Sequence, residues 1–249
     1  MHNSVMFVGG DESIWGMGMR TQGRNGDDPK LRRIEAPESM RNFKKIAHGK
    51  FFRLVLTQEN RLFINGESRR YMMGSGTDRQ RYVQKFEEFP DNYFRMEAGD
   101  KIVDCCGGKN FVAVVTEQGK IFAAGYIFYR NFQGCRSNPE NNEDYPFEIR
   151  MPQGFKAKEI WGSEKSNNIW VNATNQDGEL KTMAAGGNNQ LLGHGQDNRP
   201  DIFTPVKLPD NTYLTKVASE GSLVHGVDNI GNLWVWGGEI YAESTDDFQ

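Results

Sequence analysis

Cysteine is scarce in this chain: Cys105, Cys106 and Cys135 are the only three among 249 residues. So small and odd a number excludes a disulfide scaffold and points to a reducing, intracellular setting. Histidine is nearly as rare, with His2, His48, His194 and His225, which offers little material for a metal site or a triad. No run approaches 18 apolar residues, which excludes a transmembrane helix. The opening MHNSVMFVGGDESIW lacks a basic region followed by a sustained apolar stretch, so no signal peptide is expected. Walker A, GxSxG and HExxH patterns are all missing, and no catalytic, cofactor-binding or metal residue is assigned. Asn172-Ala173-Thr174 fits a glycosylation sequon, but without a secretion signal it reads as chance.

Glycine is plentiful. Twenty-eight glycines make about 11% of the chain, against roughly 7% in average proteins. Without collagen periodicity, such an excess suits a turn-rich, mostly β protein. The net charge of −3 hides a polarity: residues 1–85 hold 16 Lys/Arg and 9 Asp/Glu (+7), and residues 86–249 hold 14 and 24 (−10). The two ends could face different partners, or the excess charges could simply be solvated loops.

The stretch AAGGNNQLLGHGQDNRPDIFTPVKLP, residues 184–209, poses a choice between a phosphate-cradling loop and punctuation in a repeat. A phosphate loop should occur once, whereas a repeat recurs with other residues keeping step. This one recurs. FVGG, FING, FAAG, MAAG and WVWG end on Gly10, Gly66, Gly125, Gly186 and Gly237, which are 56, 59, 61 and 51 residues apart. Five occurrences bracket four periods, approximately 10–66, 66–125, 125–186 and 186–237.

A hairpin keeps the same step. KKIAHGKFFRLVLTQENRLF, KIVDCCGGKNFVAVVTEQGKIF, KEIWGSEKSNNIWVNATNQDGELKTM and KVASEGSLVHGVDNIGNLWVW each pair two apolar strands across a polar turn ending in Gly or Asn. Those turn residues supply the positive φ that tight hairpins need. Pro37, Pro90, Pro152 and Pro209 stand upstream of the four hairpins, ending the connecting segments. Short strands at regular spacing describe an all-β array. The unit of about 57 residues exceeds that of WD40 or kelch blades.

GGNNQLLGHGQDNRPDIFTPVKLP with KVASEGSLVHGVDNIGNLWVWG, and KIVDCCGGKNFVAVVTEQGKIFAAG, resemble repeats of the regulator of chromosome condensation (RCC1-like) family. The resemblance spans about residues 4–240. Phe52 and Phe111 depart from it, standing where that family usually carries histidine. It implies an RCC1-type β-propeller of four-stranded blades, with residues 1–249 as a single repeat domain. Such rings commonly have seven blades, and four periods are fewer. The chain therefore either curls into a small ring or forms an open arc covered by a partner, and the uneven spacing favours the arc. The glycine-rich loop is then blade punctuation.

Two clusters are candidates for protein contact. The longest insertion, YIFYRNFQGCRSNPENNEDYPFEIRMP, carries Tyr126, Phe128, Tyr129 and Phe132 followed by a polar run from Asn138 to Asp144. Rigid aromatics beside an acidic tip suit an interface, although they also suit a blade edge with a solvated turn. Arg69, Arg70, Arg79 and Arg81 form a basic cluster in the loop after the first repeat; scattered solvated charges are the plainer reading. Cys105 and Cys106, being adjacent on a strand, point to opposite faces and cannot share a zinc ion. His48, His194 and His225 read as structural, the last packing internally, as do Met17, Met19, Met72 and Met73. The five tryptophans lie mostly on expected strands as core filling.

The expected function is a non-catalytic interaction module or structural subunit of a larger assembly, presenting propeller loops and blade edges to partner proteins, in the cytoplasm or nucleus, with an organelle or ciliary assembly also open. No cofactor is expected. The resemblance also implies an alternative, nucleotide exchange on a Ran-like small GTPase. Nucleic acid is not the expected partner, since the chain has no basic tail to hold phosphates.

Overall fold

A computed structural model describes residues 4–11, 13–18, 31–69, 80–125, 146–187, 189–195 and 202–238. These form eighteen strands in five antiparallel sheets, with neighbouring strands consecutive in the chain. The first sheet holds β1 (Ser4–Val8), β2 (Ile14–Gly18) and β3 (Arg32–Ile34). The second holds β4 (Phe43–His48), β5 (Phe52–Thr57), β6 (Leu62–Arg69) and β7 (Gln80–Glu88). The third holds β8 (Ile102–Gly107), β9 (Phe111–Thr116), β10 (Ile121–Gly125) and β11 (Phe147–Ile149). The fourth holds β12 (Lys156–Gly162), β13 (Ile169–Thr174), β14 (Leu180–Ala185) and β15 (Thr204–Pro205), and the fifth β16 (Leu214–Glu220), β17 (Leu223–Asp228) and β18 (Leu233–Gly237). Five meanders in series are the blades of a propeller. Four sequence periods spread over five sheets because each period ends on the third strand of a blade, not at a blade boundary.

The turns repeat as closely as the strands. Asn60, Gly119, Gly178 and Gly231 close the four hairpins at φ of 64°, 82°, 82° and 93°. The carbonyls of Pro37, Pro90, Pro152 and Pro209 each accept a hydrogen bond from the amide three residues on, at 2.9 to 3.1 Å. Each proline thus opens a turn that delivers the chain to the next blade. The anchoring glycine works at close quarters. At Gly66, φ is 114° and a Cβ would lie 2.5 Å from the Phe51 carbonyl oxygen. Only glycine lets the third strand pass this close to the start of the second.

A bulge falls at one position in the first strand of blades two to five, between Phe43 and Lys45, Ile102 and Asp104, Ala157 and Glu159, and Leu214 and Lys216. Each adds twist where the inner strand turns to meet its neighbour. The blades are joined by four hydrophobic clusters, one per junction. Met6 and Ile14 meet Val55 and Phe63 between the first and second. Leu54, Leu56 and Ile64 meet Val112, Val114 and Phe122 between the second and third. Ala113, Val115 and Ile121 meet Ile169, Val171 and Met183 between the third and fourth, and Trp170 and Ala184 meet Val224 between the fourth and fifth. Each large side chain so covered contributes about 1.5–3 kcal/mol.

One polar node binds three blades at once. Lys45 Nζ lies 2.6 Å from Asp104 Oδ1 and donates to the Ile160 carbonyl at 2.9 Å. Asp104 Oδ2 in turn accepts the Ile160 amide at 2.8 Å. Two opposite charges and a backbone pair satisfy one another there, which fixes how consecutive inner strands splay.

Candidate protein-contact surfaces

Every blade has a forward face toward the next blade and a backward face toward the previous one. The register aligns them. Val115–Ile121 and Ala113–Ala123 are facing pairs on the forward face of the third blade, and all four residues are fully buried. The matching pairs in the fifth blade are Val227–Leu233 and His225–Val235. There Leu233 is 67% and Val235 41% exposed, and His225 is exposed beside them. Lys216 and Ala218 of β16 pair with Val227 and His225, so the face extends over three strands.

The first blade repeats the pattern in reverse. Phe7 stands where Phe63, Phe122 and Met183 stand in later blades, and those three are nearly sealed from solvent. Phe7 itself is 39% exposed; Trp15 faces it across the ladder, followed by Arg33, and Met17 lies on the same side of β2. Among the described residues, no hydrophobic cluster joins the first blade to the fifth. The backward face of the first blade and the forward face of the fifth are therefore bare among the described residues.

A cleft of about 560 Å³ opens along the inner strands of blades two to five. Lys44, Lys45, Lys158 and Lys216 line it, with Asp104, Glu117 and Glu159 between them. Lys45 is committed to Asp104, and Glu159 accepts from Asn172 at 2.9 Å. The cleft presents charges of both signs to solvent.

No family model matches the chain. The curated protein Probable E3 ubiquitin-protein ligase HERC4 of Homo sapiens is 25% identical over 203 residues, covering 81% of this chain and 18% of that protein. Among solved structures, Prp20p from Saccharomyces cerevisiae superposes with a TM-score of 0.64 at 16% identity, covering 89% of this chain and 52% of that one. Human WBSCR16 gives 0.68 at 16% identity, with 94% and 59% covered. The chain has an RCC1-like propeller fold. It spans just over half of those solved chains and under a fifth of the ligase.

Within this RCC1-like frame, the two departures from the repeat pattern are explained by packing. The Phe52 and Phe111 rings are buried and lie over Gly49 and Gly108, where a Cβ would overlap them. Cys105 and Cys106 do point apart, one into the cluster between blades two and three and the other into that between three and four. Burial pushes the Cys105 thiol up to about 12 and Cys106 in the same direction, so neither supplies a thiolate. Asn172 is fully buried, bonding to the Leu214 carbonyl and accepting from Thr182, which closes the sequon to a glycan in the folded chain.

Two expectations need correction. His225 does not pack internally; it is exposed on the forward face of the fifth blade, where no blade among the described residues covers it. Met17, expected as packing, is 39% exposed for the mirror-image reason. His194 is buried and its Nε2 is 2.9 Å from the Thr204 carbonyl, as a structural histidine should be. Arg69 and Arg81 lie on the neighbouring strands β6 and β7, where Arg69 pairs with Gln80 and Ser68 with Arg81. Arg70, Arg79, Tyr126, Phe128, Tyr129, Phe132, Cys135, Met19, Met72 and Met73 lie outside the described residues. Sequence reasoning expected exposed ends but did not name the side chains of the bare faces; the signal was Phe7 and Val235 keeping apolar register at the outermost repeats.

Among the described residues, no three His, Cys, Asp or Glu side chains gather to hold a metal ion, and no helix is long and apolar enough to cross a membrane.

Proposed function

We propose that this chain is a non-catalytic protein-interaction module, one repeat domain over residues 1–249, acting inside the cell as a structural subunit of a larger assembly. The observation that carries this reading is the contrast between four sealed junctions and two bare blade faces at the ends of the arc. Apolar sheet faces of that kind are what partner proteins cover. The aromatics Tyr126, Phe128, Tyr129 and Phe132, and the arginines Arg69, Arg70, Arg79 and Arg81, are proposed as further contacts. The test is affinity purification of the chain from its native cells, read by mass spectrometry. Stoichiometric partners should be recovered by the wild type and lost from Val235→Lys or Met17→Lys variants that melt normally. Removing Asn138–Asp144 should weaken partner binding without lowering the melting temperature. Recovery of the same partners by every variant would overturn the reading.

A second reading draws on one comparison. Prp20p, whose fold this chain shares, has been described for its binding to Gsp1p and histones. Exchange on a Ran-like GTPase is the corresponding alternative here, and the chain spans only 52% of that protein. Release of a fluorescent GDP analogue from such a GTPase, accelerated by the purified chain, would support it. An unchanged release rate would exclude it.

A further inference from the structure

We infer that the bare forward face of the fifth blade seats on the bare backward face of the first blade in a second copy of this chain, forming a fifth junction of the same build. The inference rests on the reading that these faces are interaction surfaces, and it names their occupant.

Register specifies the fit. A forward face inside the array is covered by one kind of surface, the backward face of another blade. Leu54, Leu56 and Ile64 are covered by Val112, Val114 and Phe122, and Ala113, Val115 and Ile121 by Ile169, Val171 and Met183. His225, Val227, Leu233 and Val235 occupy the corresponding forward positions at the end of the arc. Phe7 occupies the position of Phe122 and Met183 on the backward side. The chain thus displays both halves of a junction that it makes four times within itself.

No hydrophobic cluster among the described residues brings the two halves together within one chain. Among the described residues, the principal strand packings run from blade two to blade five, and the apolar cluster of blade one reaches only blade two. A second copy supplies the missing half at either end. The charges agree: residues 1–85 carry +7 and the remainder −10. Opposite net charge on the two halves of the chain favours head-to-tail docking over head-to-head. Such a contact is heterologous, so it closes a pair only if the arcs' curvature allows; otherwise it propagates.

The test uses the full chain and two single-face variants, with mass read by light scattering over about 1 to 100 µM, the range of modest protein affinities. Wild type should rise from the monomer mass to at least twice that value. Val235→Lys blocks the forward face and Met17→Lys the backward face, so each alone should stay monomeric. Mixed in equal amounts, they retain one good face of each kind and should form a pair that grows no further. Circular dichroism melts confirm that both variants fold; if Val235→Lys does not, Leu233→Lys replaces it. A wild type that stays monomeric throughout, variants that associate alone, or a mixture that remains monomeric would each overturn the inference. Loss of self-association with partner recovery still dependent on the faces would sink this inference and spare the proposed function. Self-association with unaltered partner recovery would do the reverse.

Discussion

The interior and the ends of this arc are built from the same repeat and differ in what covers them. Phe63 and Phe7 hold one position of that repeat, at the third strand before the anchoring glycine. Phe63 is sealed among Met6, Ile14 and Phe86, whereas Phe7 faces solvent. Ile64 and Val235 make the same contrast on the forward side. A blade's side chains are therefore not intrinsically core or surface; the next blade decides.

The largest effect should come from splitting that first pair. Phe63→Ala leaves a cavity at a sealed junction and should cost about 3–5 kcal/mol in denaturant unfolding. Phe7→Ala, measured at a concentration low enough to hold the chain monomeric, should stay within about 0.5 kcal/mol of wild type. Equal losses would mean that the ends are covered after all.

The node linking blades two, three and four sharpens the contrast, since the described residues show no counterpart at the ends. Asp104→Ala strips Lys45 of its partner and the Ile160 amide of its acceptor. With Lys45 partly open to water, the loss should be about 2 kcal/mol by thermal or chemical melts. Lys45→Met added to Asp104→Ala should recover part of it, because the stranded charge goes too. Failure to recover would show that the backbone bond to Ile160 carries the node.

The anchoring glycines differ in the same way. Gly66→Ala forces a side chain into a positive-φ position against the Phe51 carbonyl and should cost about 1–2 kcal/mol. At Gly10 a Cβ would meet no atom within 4 Å, because no hairpin precedes β1 among the described residues. Gly10→Ala should be silent in the same melts.

Much of this was legible in the sequence. The period, the hairpin turns at Asn60, Gly119, Gly178 and Gly231, and the four prolines follow from local backbone requirements that a single repeat states by itself. The opposed burial of Cys105 and Cys106 follows from strand alternation alone. Exposed ends were expected from the arc, but the side chains that form them were not, because Val235 and Phe7 look like core residues in any window of the chain. Their exposure depends on the order of blades in space, which no local pattern records. The node of Lys45, Asp104 and Ile160 was likewise hidden, since its partners lie 59 and 115 residues apart from Lys45.

The smallest effect tests how firmly the interior junction between blades two and three holds its histidine. His48 is half-buried; burial first and the Arg53 guanidinium second hold its imidazole below its ordinary value. Its backbone carbonyl also meets Gly107 of the third blade, where a Cβ would lie 2.5 Å away. A histidine whose folded value is lowered takes up its proton more readily when unfolded. Stability on its account is therefore complete above the unfolded value of about 6.5 and declines as pH falls through it, until the folded value is passed. Melts of wild type and His48→Asn from neutral to mildly acidic pH make the comparison. His48→Asn should flatten the decline between neutrality and about pH 5. An unchanged decline would show that the junction does not hold this imidazole away from water.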